Sequence, residues 1–232
     1  MVLEVQENNM QKAKLIVIEG ADNSGKATQT ALLCERLLRE GFSVGTMDFP
    51  RYTQNTFGKL IKESLQGLHG DFLQKDPRVA SVLYAADRYE SKEALGELLA
   101  TNDLVILDRY VSANMLHQGA KIDDEAKRKE FLLWLEHIEY GIFGLPKPDC
   151  TVMLAVSPEH SEVVLGRMVE KGEKTADLAE KDREHQKRVA ECVVWLSSLR
   201  ENWSTIHCSE GLELRSREDV HEELYSIIKP KL

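Results

Sequence analysis

A seven-residue segment near the start of the chain has the residue types and spacing needed to bind phosphate. It reads "GADNSGK", from Gly20 to Lys26, and fits the pattern G-x-x-x-x-G-K. Its glycines would let backbone N–H groups point at phosphate oxygens, and the next helix would add the positive end of its dipole. Because an aliphatic run precedes it and an amphipathic pattern follows it, we expect a nucleotide-phosphate loop. The residues expected to touch the nucleotide are Gly20, Asn23, Ser24, Gly25, Lys26, Ala27 and Thr28.

The residue after the lysine departs from the usual pattern. A Ser or Thr normally stands there and its hydroxyl binds Mg²⁺, whereas this chain has Ala27. Thr28 follows one residue later, about 100° further around the helix, so it cannot be assumed to replace that hydroxyl. Either water, phosphates and another carboxylate hold the metal, or the site is degraded. The first reading is favoured because Mg²⁺ often keeps several waters.

Short apolar runs recur along the chain, each followed by a longer amphipathic stretch. Such runs suit strands that are buried on both faces, and the stretches between them suit helical crossovers. The sequence therefore predicts an α/β fold with a five-stranded parallel sheet and helices on both of its faces. It predicts a single domain, residues 1–232. The five expected strands lie at 15–20, 42–49, 104–109, 150–157 and 204–209.

Composition limits the partners and the location that we expect. The formal charge is −9, from 30 Lys and Arg against 39 Asp and Glu, so a broad basic surface for nucleic acid is not expected. The four cysteines show no CxxC spacing and are predicted to be reduced core residues. No signal peptide or membrane span is recognisable, so we expect a cytoplasmic protein with no membrane partner.

Three further strings occur with the phosphate loop in a characteristic order. They are "DFPRY" at 48–52, "LYAADR" at 83–88 and "DRYVSAN" at 108–114. Together with "GLPKPD" before the fourth predicted strand, they make the chain resemble thymidylate kinases from about Lys14 to its C-terminal helix. The resemblance implies a P-loop kinase fold and transfer of the γ-phosphate of ATP to dTMP, with Mg²⁺ as cofactor, usually by a homodimer.

The resemblance also implies which residues act on the phosphates. Asp22 would touch the 3′-hydroxyl of the acceptor, and Lys26 would bridge the donor phosphates and the transferred group. Asp108 would order the metal and its waters, and Arg109 would hold the acceptor phosphate. Arg51 is the expected second contact to that phosphate.

A pocket for the base follows from the same strings. Tyr84 stands at the position where the family commonly stacks a Phe on thymine, and Phe49 is also expected to bind the substrate. Arg88 would hydrogen-bond the base carbonyl, and Asn114 would face the ring edge. A planar aromatic and a fixed donor favour a pyrimidine with an O4 acceptor over cytosine. His117 stands where some members carry a Tyr that crowds a 2′-hydroxyl, which leaves discrimination against ribonucleotides open.

Positive charge on the transferred phosphoryl group is expected from a lid at about 170–183. Family members place an arginine in the phosphate loop or in the lid, and the loop position here is Asn23, so the lid must supply it. Arg167 and Arg183 are the preferred candidates. Three lysines are further candidates: Lys171, Lys174 and Lys181. The predicted catalytic set is Lys26, Asp108, Arg109, Arg167 and Arg183.

Two alternatives remain open from the sequence. One is a kinase for another deoxynucleoside monophosphate or for a deoxynucleoside. A deoxynucleoside kinase would need a base to deprotonate the 5′-hydroxyl, and only Asp48 is suitably placed. The other is a non-catalytic nucleotide-binding module, of which Ala27 would be the mark. Arg51 and Arg109 argue against a nucleoside acceptor, and the retained base and phosphate residues argue against a binding module.

Overall fold

A computed structural model of the chain describes residues 13–70, 75–172, 178–210 and 213–232. Its centre is a five-stranded parallel sheet in the order β2-β3-β1-β4-β5. The strands are β1 (Lys14–Gly20), β2 (Val44–Asp48), β3 (Leu104–Asp108), β4 (Cys150–Ala155) and β5 (Trp203–His207). A short antiparallel pair follows, β6 (Ser209–Glu210) with β7 (Glu213–Leu214).

Helices cover both faces of the sheet, as the sequence predicts. The helices are α1 (Lys26–Arg39), α2 (Thr56–Leu65), α3 (Pro77–Glu90), α4 (Lys92–Thr101), α5 (Val111–Gly119), α6 (Glu125–Glu136), α7 (Pro158–Glu170), α8 (Leu178–Lys181), α9 (Arg183–Ser198) and α10 (Arg217–Ile228). A π-helical turn (His137–Ile142) continues α6, and a 3₁₀ turn (Lys229–Lys231) ends α10. Of the two larger cores, one lies between the sheet and α1 with α10, and the other between the sheet and α4, α5, α6 and α9.

The apolar runs correctly predicted all five strands of the sheet, but two of those strands are not buried on both faces. In β2, buried Gly45 and Met47 alternate with exposed Thr46 and Asp48. In β5, only Ile206 is buried. The strand order explains the difference, because β2 and β5 are the two edges of the sheet while β1, β3 and β4 lie inside it.

Local sequence signals fix the helix ends that matter for the site. Gly25 precedes α1 with φ 88°, a left-handed conformation that favours glycine. The Ser157 hydroxyl accepts from the backbone N–H of His160 and Pro158 opens α7. Within the described ranges, no helix combines the length and the apolar character required to cross a membrane.

Candidate active site

The phosphate loop connects β1 to α1, at the carboxyl edge of the sheet. Gly20 has φ 153°, and a Cβ there would lie 2.4 Å from the carbonyl oxygen of Leu154. Asn23 also has a positive φ, 60°. The hydroxyl of Ser161, on α7, donates to the carbonyl oxygen of Asp22 at 2.9 Å, which ties the loop to that helix. The loop is therefore a tightly packed backbone turn followed by a helix N-terminus.

Lys26 folds back over this loop. Its Nζ donates to the carbonyl oxygens of Gly20 at 3.1 Å and Ala21 at 2.7 Å, and the residue is 7% exposed. Burial, reinforced by the positive charge of Arg109, lowers the pKa of Lys26 to about 8, against the opposing effect of nearby carboxylates. Phosphate oxygens would be stronger acceptors than two carbonyls, so Lys26 is suitably placed for an anionic ligand.

Arg109 occupies a strained position immediately after β3. Its φ is 67°, and its backbone N–H donates to the carbonyl oxygen of Ile18 at 3.0 Å. Its guanidinium makes a short ion pair with Asp22, and its Nη1 lies 3.2 Å from Nε2 of His117. Burial alone would raise the pKa of Asp22, but Arg109 holds that pKa well below its usual range. The three predicted side chains thus form one connected group.

His117 is neutral in this group. Burial lowers its pKa to about 3, despite the nearby Asp22 carboxylate. A neutral imidazole can accept the Arg109 N–H through Nε2. The ring of His185, on the first turn of α9, lies 6.1 Å away between centroids, and burial likewise lowers the pKa of His185 to about 4.

A second carboxylate below the loop was missed from the sequence. Glu19 is fully buried, and it accepts from the backbone N–H of Gly20 at 3.0 Å and the hydroxyl of Ser112 at 2.9 Å. Burial raises its pKa, although Arg109 and Lys26 act against that rise. Its signal in the sequence is the acidic residue that ends the apolar run "LIVIEG". Glu19 links the phosphate loop to the start of α5.

A cavity of about 90 Å³ opens beside Arg109. It brings together seven of the eight residues predicted for the acceptor site. They are Asp22, Phe49, Tyr84, Arg88, Arg109, Asn114 and His117. The predicted phosphate and base residues therefore share one cavity wall, and Asp22 is common to this cavity and to the phosphate loop.

Two of these residues are held by a carboxylate that the sequence did not single out. Glu139, in the π-helical turn, accepts from Nε of Arg88 at 2.6 Å and from its Nη2 at 2.5 Å. It also accepts from Nδ2 of Asn114 at 3.1 Å. Glu139 is fully buried, and Arg88 is 2% exposed. The only sequence signal is an acidic residue within the amphipathic stretch "HIEYGI".

Arg51 is the predicted acceptor residue that does not line this cavity. Its backbone N–H donates to Oδ2 of Asp87 at 3.1 Å, and its Nη1 lies 3.5 Å from the hydroxyl of Ser91. Its Nε is buried without a hydrogen-bond partner among the described residues. Asn55 braces the same loop through bonds to Asp87 at 2.8 and 2.9 Å. Its role on the acceptor phosphate stays a prediction.

The groups available to a metal ion are few. Asp108 ends β3 and pairs in register with Asp48; burial, with a contribution from Asp48, raises the pKa of Asp108, while Lys26 and Arg109 act against that rise. Ala27 and Thr28 are both exposed. In the described part of the chain, no three His, Cys, Asp or Glu side chains converge as metal ligands. This donor set fits a Mg²⁺ ion that takes most of its ligands from phosphate and water.

A larger groove of about 1030 Å³ lies between α7 and α9, and two of the lid candidates, Lys181 and Arg183, line it. Arg183 lines this groove together with Asp22 and Asn23 of the phosphate loop, and its exposed guanidinium makes a short ion pair with Glu162. Arg167 is exposed on α7 and does not line the groove. Lys174 lies outside the described residues, as does part of the predicted lid, 173–177.

The segment after the predicted lid is more regular than the sequence suggests. The charged residues from Arg183 onward belong to α9 itself, which begins at that residue. The Asp182 carboxylate caps it by accepting from the backbone N–H of His185 at 2.9 Å. The charged residues are the exposed face of a helix that buries Val189, Cys192 and related residues, so their charge did not exclude a helix.

A parallel sheet with a phosphate loop after its central strand, and cationic side chains at the same edge, defines a P-loop nucleotide phosphotransferase. The family description "Thymidylate kinase" matches residues 18–231. The chain belongs to the thymidylate kinase family, whose members are ATP-dependent nucleoside monophosphate kinases.

Individual relatives agree with this assignment. The thymidylate kinase of Mycobacterium tuberculosis is 36% identical over 190 residues, which cover 82% of this chain and 87% of that protein. A Synechococcus thymidylate kinase is 32% identical over 221 residues, covering 94% and 95% of the two chains. A solved structure of thymidylate kinase from Candida albicans matches the fold with a TM-score of 0.71 at 24% identity, covering 95% of this chain and 92% of that one.

Proposed function

We propose that the chain transfers the γ-phosphoryl group of ATP to the phosphate of dTMP, giving dTDP and ADP. The observation that carries this proposal is the ion pair between Asp22 and Arg109, which joins the phosphate loop to the acceptor cavity. A donor phosphate beside Lys26 and an acceptor phosphate beside Arg109 would meet at this junction. Lys26 is buried and Arg109 is partly buried, so water screens their attraction for phosphate less than it would at an exposed surface.

Catalysis then depends on positioning and charge. An oxygen of the dTMP phosphate forms the new bond to the γ-phosphorus as the bond to the bridging oxygen of ADP breaks. The acceptor phosphate is already anionic near neutral pH, since its second pKa is about 6, so no general base is required. Lys26 and the loop N–H groups bind the donor phosphates, and Arg109 aligns the acceptor.

Mg²⁺, bound with ATP, would neutralise charge on the donor phosphates. Asp108 is the residue proposed to hold it, through an ordered water, because its carboxylate lies at the carboxyl edge of the sheet near Lys26. Ala27 contributes no ligand.

The lid is proposed to supply further positive charge and to exclude water when both substrates are bound. Arg183 is the stronger candidate because it shares a groove with the phosphate-loop residues Asp22 and Asn23. Its ion pair with Glu162 would have to open first. Arg167 remains the second candidate.

We further infer that the protein is a homodimer. We also infer that it is cytoplasmic and that the chain forms a single domain. Exposed apolar side chains recur on α2, α3 and α6, and α3 packs against both of the others. They include Phe57, Leu60, Val79, Val82 and Leu133. A patch of this kind is typical of an interface. Sedimentation of the wild type and of Val79→Asp tests the inference: a dimer that dissociates in the variant supports it, and a wild-type monomer contradicts it.

The activity is tested by measuring ADP formation with ATP and Mg²⁺ and a panel of acceptors: dTMP, dUMP, dCMP, dGMP and thymidine. The proposal predicts turnover that strongly prefers dTMP. Lys26→Ala is the matched control, because activity from contaminating kinases would be the same in that preparation. Preference for thymidine would indicate a nucleoside kinase, and ATP binding without turnover would indicate a binding module.

A further inference from the structure

We propose that Glu139 is a positioning residue that sets the hydrogen-bonding polarity of the acceptor-base cavity. It holds the Arg88 guanidinium in place and orients the Asn114 amide so that its oxygen is left for a ligand, so that the cavity matches thymine and rejects cytosine. This inference rests on the proposed function, which it deepens by naming the residue that orients the base-contacting side chains.

The carboxylate of Glu139 is shared between the two cavity residues. Its Oε2 accepts from Nε of Arg88, while its Oε1 accepts from both Nη2 of Arg88 and Nδ2 of Asn114. The π-helical turn from His137 to Ile142 carries this side chain into the interior. A buried ion pair is weak evidence for stability, so a role in orienting its partners accounts better for its presence at a cavity wall.

Glu139 determines which end of the Asn114 amide is available to a ligand. Both Nδ2 protons of Asn114 are used, one by Glu139 and one by the carbonyl oxygen of Ser81 at 3.0 Å. Both partners are acceptors, so the amide cannot turn around without placing its oxygen against them. Oδ1 is consequently the end left for a ligand, and it receives no hydrogen bond from the residues that the structure describes.

Arg88 has the opposite polarity, and its partners hold it in position. Nε and Nη2 donate to Glu139, and Nη1 donates to the carbonyl oxygen of Tyr110 at 3.2 Å. An arginine has five N–H donors and no acceptor, so two N–H groups remain. The guanidinium lines the cavity and can present only donors to it.

This pair of groups matches one edge of thymine. The O4 carbonyl of thymine accepts a hydrogen bond and its N3–H donates one, which suits Arg88 and Asn114 respectively. Cytosine has an amino group at position 4 and an unprotonated N3, so both of its groups are opposite in polarity. A site that leaves buried polar groups unpaired rejects the wrong ligand strongly.

The variant Glu139→Gln tests the inference with little change in shape. A glutamine amide has one oxygen and one NH₂ group, so it cannot accept from both sides, and Asn114 is free to reverse. We expect the ratio of kcat/KM for dTMP to that for dCMP to fall by about ten- to a hundredfold. A residue that only stabilises the fold would lower both values together and leave the ratio unchanged.

Glu136→Gln is the matched control. Glu136 lies one turn earlier on α6, bonded to Arg200 at 2.7 Å, and does not line the cavity. Its loss should leave the selectivity ratio as in the wild type. An unchanged ratio in folded Glu139→Gln, or an equal fall in both variants, overturns the inference.

Glu139→Asp and a modified acceptor keep the inference testable if Glu139→Gln does not fold. The aspartate retains a carboxylate, so the variant should still have a higher kcat/KM for dTMP than for dCMP. Wild-type protein should use N3-methyl-dTMP poorly, because the methyl group removes the proton meant for Asn114. Efficient use of that acceptor, or of dCMP, overturns the inference. Wild-type protein that uses dTMP no better than thymidine would instead overturn the proposed function.

Discussion

Replacing Gly58 by alanine should displace the loop that carries Arg51. Gly58 lies in the first turn of α2, and a Cβ there would be 2.1 Å from the carbonyl oxygen of Arg51 and 2.9 Å from Oδ1 of Asp87. Because Cβ contacts below 3.0 Å essentially do not occur, the Arg51 backbone must move by about 1 Å. That carbonyl accepts from the N–H groups of Gln54 at 3.3 Å and Asn55 at 3.1 Å, so the movement strains the whole turn.

The magnitude follows from these contacts. Overpacking costs about 1–3 kcal/mol, and losing the two turn hydrogen bonds adds roughly 1 kcal/mol each. Alanine regains about 1 kcal/mol through its helix propensity. We therefore expect Gly58→Ala to lower the free energy of unfolding by about 2–4 kcal/mol. Misplacing Arg51 by about 1 Å should also lower kcat/KM for dTMP, by up to roughly a hundredfold.

Gly96→Ala is the matched control for this experiment. Gly96 also lies in a helix, α4, and a Cβ there would meet nothing within 4 Å. It should stabilise the protein by about 1 kcal/mol and leave kinetics unchanged. Denaturant unfolding and steady-state kinetics on both variants provide the comparison. The reasoning is refuted if Gly58→Ala is as stable as Gly96→Ala, or if its kcat/KM values for ATP and for dTMP fall by the same factor.

Three further outcomes are expected. Lys26→Ala should lower turnover by at least about a hundredfold while circular dichroism stays native; near-normal turnover would remove Lys26 from the site. Arg109→Ala should weaken dTMP binding in calorimetry but preserve ATP binding. Equal losses of dTMP and ATP binding would show that Arg109 is not a contact specific to the acceptor. Burial lowers the pKa of His117 from 6.5 to about 3 in the folded state, so below about pH 6.5 the unfolded chain binds more protons and stability falls as the pH is lowered. His117→Gln should weaken this fall between about pH 7.5 and pH 5 in denaturant titrations; an identical slope would contradict it.

The sheet was predictable because its strands follow from local composition. Runs such as "LIVIEG" and "LVILDR" are buried on both faces, and β1 and β3 lie where they indicate. Which strands form the edges was not predictable, because strand order depends on how helices pack. The partly exposed β2 and β5 show this: both contain polar residues, but the strand order that places them at the edges is visible only in the fold.

The site residues that belong to a sequence motif were predictable. The residues that hold them through tertiary contacts were not. Lys26, Asp22 and Arg109 belong to recognisable strings, and the structure brings them together. Glu139 holds the side chain of Arg88, which is 51 residues away in the sequence. Asp87 holds the backbone of Arg51, which is 36 residues away. Nothing in the local sequence distinguishes such carboxylates from exposed ones, so their roles became visible only with the fold.

The central claim is transfer of a phosphoryl group to the phosphate of dTMP. It is tested most directly by incubating the protein and dTMP with ATP that carries a labelled γ-phosphate, and by identifying the products. The account predicts label in the β-phosphate of dTDP, with one ADP formed for each dTDP. Label found only in inorganic phosphate, or no transfer while ATP and dTMP both bind, would contradict it.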